Sequence, residues 1–185
     1  RKLPYVILVY DIHPDVFIMN EVIAESNIIV KVWRLLNNKV YRDASEVITL
    51  GKHMADRLER EYNSLNGPPT VISPWSDTDQ IFPILWKDNI LSNRFNPQRK
   101  KVILYSGNMG VSHDIDSILE AARLLRQRDD FLFLFIGNGQ KWDDVLHYKE
   151  EFKLKNVEVY PFQPEELLPM TLALASVSLV ALEKG

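Results

Sequence analysis

At 185 residues, with 46% hydrophobic and 25% charged side chains, the chain has an ordinary soluble composition and enough apolar residues for a real core. A net charge of −3 gives no reason to expect a nucleic-acid partner, and the absence of cysteine excludes disulfides and thiolate metal sites. His13, His53, His113 and His147 are scattered without paired ligand spacing, and no apolar run approaches the ~20 residues needed to span a bilayer, so a cytoplasmic location is the default.

In chain order, residues 5–10 read as a first strand, with Asp11 and His13 at its C-terminal end, the edge where open α/β sheets place ligands. The plainer reading of that edge is a loop with Pro14 and Asp15 as turn formers. Ile28, Ile29, Val32, Leu35, Leu36 and Val40 recur at helical spacing and predict an apolar face. Lys31, Arg34, Lys39 and Arg42 lie among them, either as a solvated face or as a basic face for peripheral contact with an anionic membrane. A strand at 46–50, a helix marked by Met54, Ala55, Leu58 and Tyr62, and a strand at 70–73 follow.

Residues 74–100 break this rhythm with Pro74, Pro83, Pro97 and a basic close at Arg99-Lys100-Lys101. The stretch is too long for a usual loop and predicts a connector between two α/β units, residues 1–83 and 98–185, with a linker at 84–97.

The second unit opens with a strand at 102–105, then Gly107 and Gly110 in a tight loop, then a helix whose apolar face is Ile115, Ile118, Leu119, Ala122 and Leu125. A strand, a glycine loop and a helix N-terminus suit a phosphate, because free N–H groups and the helix dipole both favour an anion. An ordinary βα turn has the same appearance. A strand at 131–136 leads to Gly137, Asn138 and Gly139, then a helix marked by Trp142, Val145, Leu146 and Phe152. A strand at 157–160 precedes Phe162 and Gln163, and a helix through Leu167, Leu168, Thr171 and Leu174 should be disturbed by Pro169 before a final strand at 177–182. Continuous apolar strands alternating with helices predict a doubly wound α/β fold with parallel sheets and Rossmann-like units. The abrupt start at Arg1 and stop at Gly185 suggest an excised part of a longer protein.

Taken together, these landmarks resemble the large group 1 family of retaining glycosyltransferases (family 4), which has the two-Rossmann-domain GT-B fold. Residues 43–58 resemble the family's last helix-strand-helix passage before the interdomain crossing. Val71-Ile-Ser-Pro-Trp-Ser-Asp77 with Phe82-Pro83 resembles its "Pro-Asn-Gly-Val-Asp … Phe-x-Pro" crossing, with Trp75 and Ser76 in place of Asn and Gly. Tyr105-Ser-Gly-Asn-Met-Gly110, Phe133-Leu-Phe-Ile-Gly-Asn-Gly-Gln140 and Val157-Glu-Val-Tyr-Pro-Phe-Gln163 resemble three successive strand-loop passages of the nucleotide-sugar domain. Asp11-Ile-His-Pro14 and Gly107-Asn-Met-Gly110 look like the bacterial branch acting on surface polysaccharides.

The resemblance implies transfer of a hexose or aminohexose from a UDP- or GDP-sugar to a saccharide or lipid-linked acceptor, with retention and without a metal or cofactor. It implies donor diphosphate contacts at Gly107, Asn108, Gly110 and His113, and nucleotide contacts at Gly137, Asn138, Gly139, Phe162 and Gln163. Glycine turns at 137–139 and a core role for Phe162 remain the alternatives. Asp11 and His13 would face acceptor or donor sugar and could orient a hydroxyl or stabilise charge. The sequence departs from the family where an Arg and a Lys usually grip the diphosphate: Asn108 and His113 stand there. The family's downstream glutamate-containing sugar site should begin near Glu183-Lys184-Gly185, so the isolated 185 residues are expected to be inactive. A nucleotide-sugar epimerase of the same fold and a non-catalytic nucleotide-binding module are the rival readings. A Rossmann dehydrogenase fits poorly, since Gly-x-Gly-x-x-Gly spacing is absent.

Overall fold

The computed structural model describes residues 3–62 and 64–183. Two compact units divide at Trp75 and Ser76. The first holds three parallel strands in the order β1 (Val6–Val9), β2 (Glu46–Thr49), β3 (Thr70–Val71), in register from Val6↔Glu46 to Thr49↔Val71. Between them run α1 (Asp15–Met19), α2 (Ile28–Asp43) and α3 (Lys52–Glu61). Val9, Ile12, Tyr41, Val47, Leu58 and Tyr62 form the core. The Asn27 side chain starts α2 by accepting from the Ile29 N–H at 2.9 Å.

The face that α2 turns to its neighbours differs from the one its apolar spacing predicts. Ile28, Ile29, Val32, Leu35 and Leu36 are exposed, while Val30 and Tyr41 are buried. The reason is polar. Asn37 donates to the His13 carbonyl at 2.6 Å and to the Tyr62 hydroxyl at 3.0 Å, and Arg34 reaches Asp15 at 3.1 Å. Those bonds fix the rotation of the helix, and the larger apolar stripe is left outward.

Asp15 is therefore far more than a turn former. Only 3% of its side chain is exposed, and it sits between Arg34 at 3.1 Å and Arg57 at 3.0 Å, with Arg57 also holding Glu61 at 3.0 Å. Burial pushes the Asp15 carboxyl up, but hydrogen bonds with Glu61 and Arg34 and the two arginine charges outweigh it and hold the group below its ordinary 3.8. Glu61 moves the other way, raised by burial and by its bond to Asp15. A depressed carboxylate contributes stability above its unfolded pKa and loses it as pH falls through the folded value; raised Glu61 partly offsets this, since its contribution is present in acid and fades as pH rises through its folded pKa. The melting midpoint should fall as pH is lowered from about 5 to about 3, and Asp15→Asn, less stable at neutral pH, should show a smaller acid-dependent fall in thermal unfolding.

In the second unit all four strands are parallel, in the order β6-β5-β4-β7. A short turn at Trp86–Asp88 and α4 (Ser92–Phe95) come first, then β4 (Lys101–Asn108), α5 (Ile115–Leu124), β5 (Phe131–Asn138), α6 (Trp142–Glu151) and β6 (Val157–Tyr160). A turn at Glu165–Leu167, α7 (Leu168–Leu172) and β7 (Val177–Ser178) complete it. Alternate residues face opposite layers. Tyr105, Phe133 and Phe135 pack with Ile115, Leu119 and Val145 of α5 and α6, whereas Leu104, Leu132, Leu134 and Ile136 pack with Leu91, Phe95 and Leu174.

Residues 84–97, expected as a linker, belong to this second layer. Leu91 and Phe95 are buried, and Asn89 donates to the Met170 carbonyl at 2.7 Å. Pro169 opens α7 rather than disturbing it, since a first-turn position needs no N–H. The last strand is shorter than the predicted 177–182 because the chain leaves the ladder: after Leu179 bonds the Leu104 carbonyl, Ala181 and Glu183 turn to the 112–114 segment.

Candidate functional site

Both central strands run past their predicted ends, so Gly107-Asn108 and Gly137-Asn138 are paired ladder residues, Gly107↔Gly137 and Asn108↔Asn138. A Cβ on Gly137 would lie 1.9 Å from the Gly107 carbonyl oxygen, so only glycine permits this approach. Gly139 has φ +139°, and a Cβ there would meet Met109 O at 2.6 Å and Asn108 Oδ1 at 2.7 Å. Met109 is wholly buried; its N–H donates to the Asn138 carbonyl at 2.7 Å, and its carbonyl accepts from the Lys141 N–H at 2.9 Å. The 137–139 glycines thus have a packing role as the seat for residues 107–109.

The first loop is different. A Cβ on Gly107 would meet nothing within 4 Å, and one on Gly110 would meet only the Asn108 amide at 3.2 Å and the His113 ring at 3.9 Å. Open space therefore borders this loop. The amides opening α5 are engaged by the chain itself. Asp114 N–H donates to Ala181 O at 3.3 Å, Ile115 N–H to His113 O at 2.9 Å, and Ser117 N–H to Asp114 Oδ1 at 3.0 Å. Bonds from Ser117, aided by the charge of Lys141, hold the Asp114 carboxyl below its usual range, which keeps it anionic at the helix mouth. The N–H groups of Gly110, Val111 and Ser112 have no acceptor among the described residues. The amides left open to a ligand at this end of the sheet accordingly lie in the loop, ahead of the helix mouth.

Tyr105 decides the state of His113. Its hydroxyl donates its one proton to the Asn108 carbonyl at 2.8 Å, so the contact with His113 Nδ1 must be a donation from the ring. Burial pushes the Tyr105 hydroxyl up, which keeps it protonated. His113 thus has its Nδ1 occupied and its Nε2 uncommitted.

One side chain at this edge went unnoticed in the sequence. Lys141, two residues beyond Gly139, places its ammonium 2.7 Å from the His113 carbonyl and 2.6 Å from Glu183 Oε1. Its partners are 28 and 42 residues away, a pairing that no local spacing reveals. The Glu183 N–H donates to Ser112 O at 2.9 Å, so the segments that follow β4, β5 and β7 meet here. Lys184 and Gly185, where the downstream sugar site was expected to begin, lie outside the described residues.

The other expected residues are placed as follows. Phe162 is 56% exposed after β6, available to a planar ligand and outside the core, while Gln163 turns its amide back to Pro161 O at 2.8 Å. In the first unit Asp11 is exposed, and the His13 ring stacks on Phe17 at 5.3 Å and Trp33 at 5.9 Å. No hydrogen bond joins Asp11 to His13 among the described residues. Of the four helix cations, Arg34 and Arg42 are tied to carboxylates, whereas Lys31 and Lys39 are exposed. A hollow of about 640 Å³ lined by Asp77, Gln80, Ile81, Glu165, Glu166 and Pro169 is acidic, contains none of the glycine-loop residues and repels a diphosphate. Among the described residues no helix is long and apolar enough to cross a membrane, and no group of three His, Cys, Asp or Glu is arranged to hold a metal ion.

Within its unit, β4 is first in chain order, β5 and β6 lie to one side and β7 to the other, so the chain reverses direction across the sheet between β4 and β7. Ligands of open parallel sheets bind outside the carboxyl ends at such a reversal, and the open glycine loop stands there. That geometry defines a Rossmann-like unit. The sequence profile of the family described as "Glycosyl transferases group 1" matches residues 87–184, and the chain belongs to that family. It is 27% identical over 183 residues to WbjE of Pseudomonas aeruginosa, whose name marks it a probable glycosyltransferase, covering 98% of this chain and 45% of WbjE. It is 32% identical over 113 residues to WcaI of Escherichia coli (strain K12), by name a colanic acid biosynthesis glycosyl transferase, covering 60% of this chain and 28% of WcaI. The chain therefore spans less than half the length of these relatives.

Solved structures share the fold. WaaG, a glycosyltransferase involved in lipopolysaccharide biosynthesis, superposes with a TM-score of 0.73 at 13% identity over 98% of this chain and 51% of WaaG. Anabaena Alr3699/HepE, solved in complex with UDP, gives 0.72 at 15% identity over 95% of this chain and 46% of that one.

The two glycine pairs should separate on substitution. Gly137→Ala should lose about 1–3 kcal/mol or more in urea unfolding, since backbone rather than a side chain must move. Gly110→Ala, which meets only a side-chain amide, should stay within about 1 kcal/mol of the parent.

Proposed function

We propose that this protein is a glycosyltransferase that moves a hexosyl or aminohexosyl group from a nucleotide-diphospho-sugar to a saccharide or lipid-linked acceptor in polysaccharide synthesis. The observation that carries the reading is the open loop at Gly107–Ser112, whose amides at 110–112 have no acceptor among the described residues, at the carboxyl end of the first strand of a parallel unit that belongs to the group 1 family. Support for the substrate class comes from the names of WcaI and WaaG and from the UDP in the Alr3699/HepE complex.

In this reaction the bond between the sugar's anomeric carbon and the diphosphate oxygen breaks, and a bond to an acceptor hydroxyl oxygen forms as that hydroxyl loses its proton. The departing diphosphate gains charge. Loop N–H groups and the His113 ring meet that charge here, the ring donating from Nε2 when protonated. Phe162 offers a face for the base. Asp11 and His13 are the candidates for orienting the acceptor, Asp11 being the freer of the two. Retention at the anomeric carbon and independence of a metal are what the family membership implies.

Peripheral membrane contact is supported by the exposed Ile28, Ile29, Val32 and Leu36 beside Lys31 and Lys39, and weakened by the tied Arg34 and Arg42. Sedimentation of the full-length protein with anionic vesicles tests it.

Incubation of the full-length protein with UDP- and GDP-sugars should yield glycosylated acceptor and free nucleoside diphosphate, with turnover unchanged by EDTA. Product formed without acceptor would identify an epimerase instead, and binding without turnover a sensing module.

A further inference from the structure

We propose that Lys141 supplies the positive charge of the donor-diphosphate site, its ammonium bridging from the adjoining βα connection to the 107–113 loop. The inference rests on the donor-binding reading above and adds to it a residue from outside the glycine loop.

The loop is poor in charge for the work assigned to it. Asn108 is neutral, His113 is the sole titratable cation between Gly107 and His113, and Asp114 and Asp116 follow at once. A nucleoside diphosphate carries at least two negative charges, and uncharged amides beside two carboxylates hold such an anion weakly. Lys141 is the one cationic side chain that bonds the loop among the described residues, 2.7 Å from the His113 carbonyl. Only 16% of that side chain is exposed, so its charge is less screened than a surface lysine's. An ammonium has three donors, and the recorded acceptors are two: the His113 carbonyl and Glu183 Oε1. One donor is left for a phosphate oxygen with both existing bonds intact. Glu183 is 47% exposed, an exchangeable counter-ion that a more highly charged diphosphate can outcompete.

Two roles for Lys141 make opposite forecasts. If it acts by charge, removing its counter-ion strengthens anion binding; if it only ties the three segments together, breaking either end of the tie loosens the loop. Calorimetric titration of the full-length protein with UDP and with GDP separates them. Lys141→Met is expected to weaken the diphosphate that binds by about tenfold, and Lys141→Arg to retain most of the affinity. Glu183→Gln is expected to tighten binding by about threefold, because it frees the ammonium without removing it. Unchanged affinity in Lys141→Met, or unchanged or weaker affinity in Glu183→Gln, overturns the assignment while leaving the donor reading in place. If Lys141→Met fails to fold, as its melting curve would show, the sign of the Glu183→Gln effect decides alone. A parent protein that binds neither UDP nor GDP overturns the donor reading, and this inference with it.

Discussion

The approach of β4 to β5 at Gly107 and Gly137 is the constraint on which the candidate site depends. With backbone facing backbone and no side chain between them, the ladder continues to Asn108↔Asn138. That continuation brings Met109 into the core and delivers residues 110–113 at the sheet's carboxyl edge. The glycines divide their work: 137 and 139 accommodate protein, whereas 107 and 110 border open space. The candidate site is thereby built directly on a close backbone-to-backbone contact of the sheet.

Each unit coheres internally by different physics. In the second, a sheet with apolar residues on both faces is sandwiched between helix layers. In the first, an anionic group removed from water is neutralised by two guanidinium groups, and the adjoining helix is oriented by amide and hydroxyl contacts. Hydrophobic burial tolerates many rotations of a helix, but a buried carboxylate whose two oxygens are held by different guanidinium groups tolerates few. The first unit accordingly carries its orientation in polar contacts, and the exposure of a broad apolar stripe on α2 follows from them.

Much of this architecture was legible in the chain. Continuous apolar runs at 102–105 and 131–136 place the central strands, and periodic residues from Ile115 place the helix that follows. The misreadings have a common cause. Strand length depends on whether glycines pair across the ladder, helix rotation depends on which polar groups find partners, and the packing of 84–97 depends on a layer formed by residues some 80 positions away. Each is a tertiary fact without a local signature. For the site, Gly107 and Gly110 stood out because glycine is conspicuous beside a strand. Lys141 did not, because a lysine after a turn is ordinary until its distant acceptors are known.

The backbone bonds from Asp114 to Ala181 and from Glu183 to Ser112 make the stretch beyond β7 a second rail alongside the glycine loop. Neither rail can shift without drawing the other. Any displacement of residues 110–113 is therefore carried along the sheet's carboxyl edge to residues 181–183, about 70 positions further on in the chain.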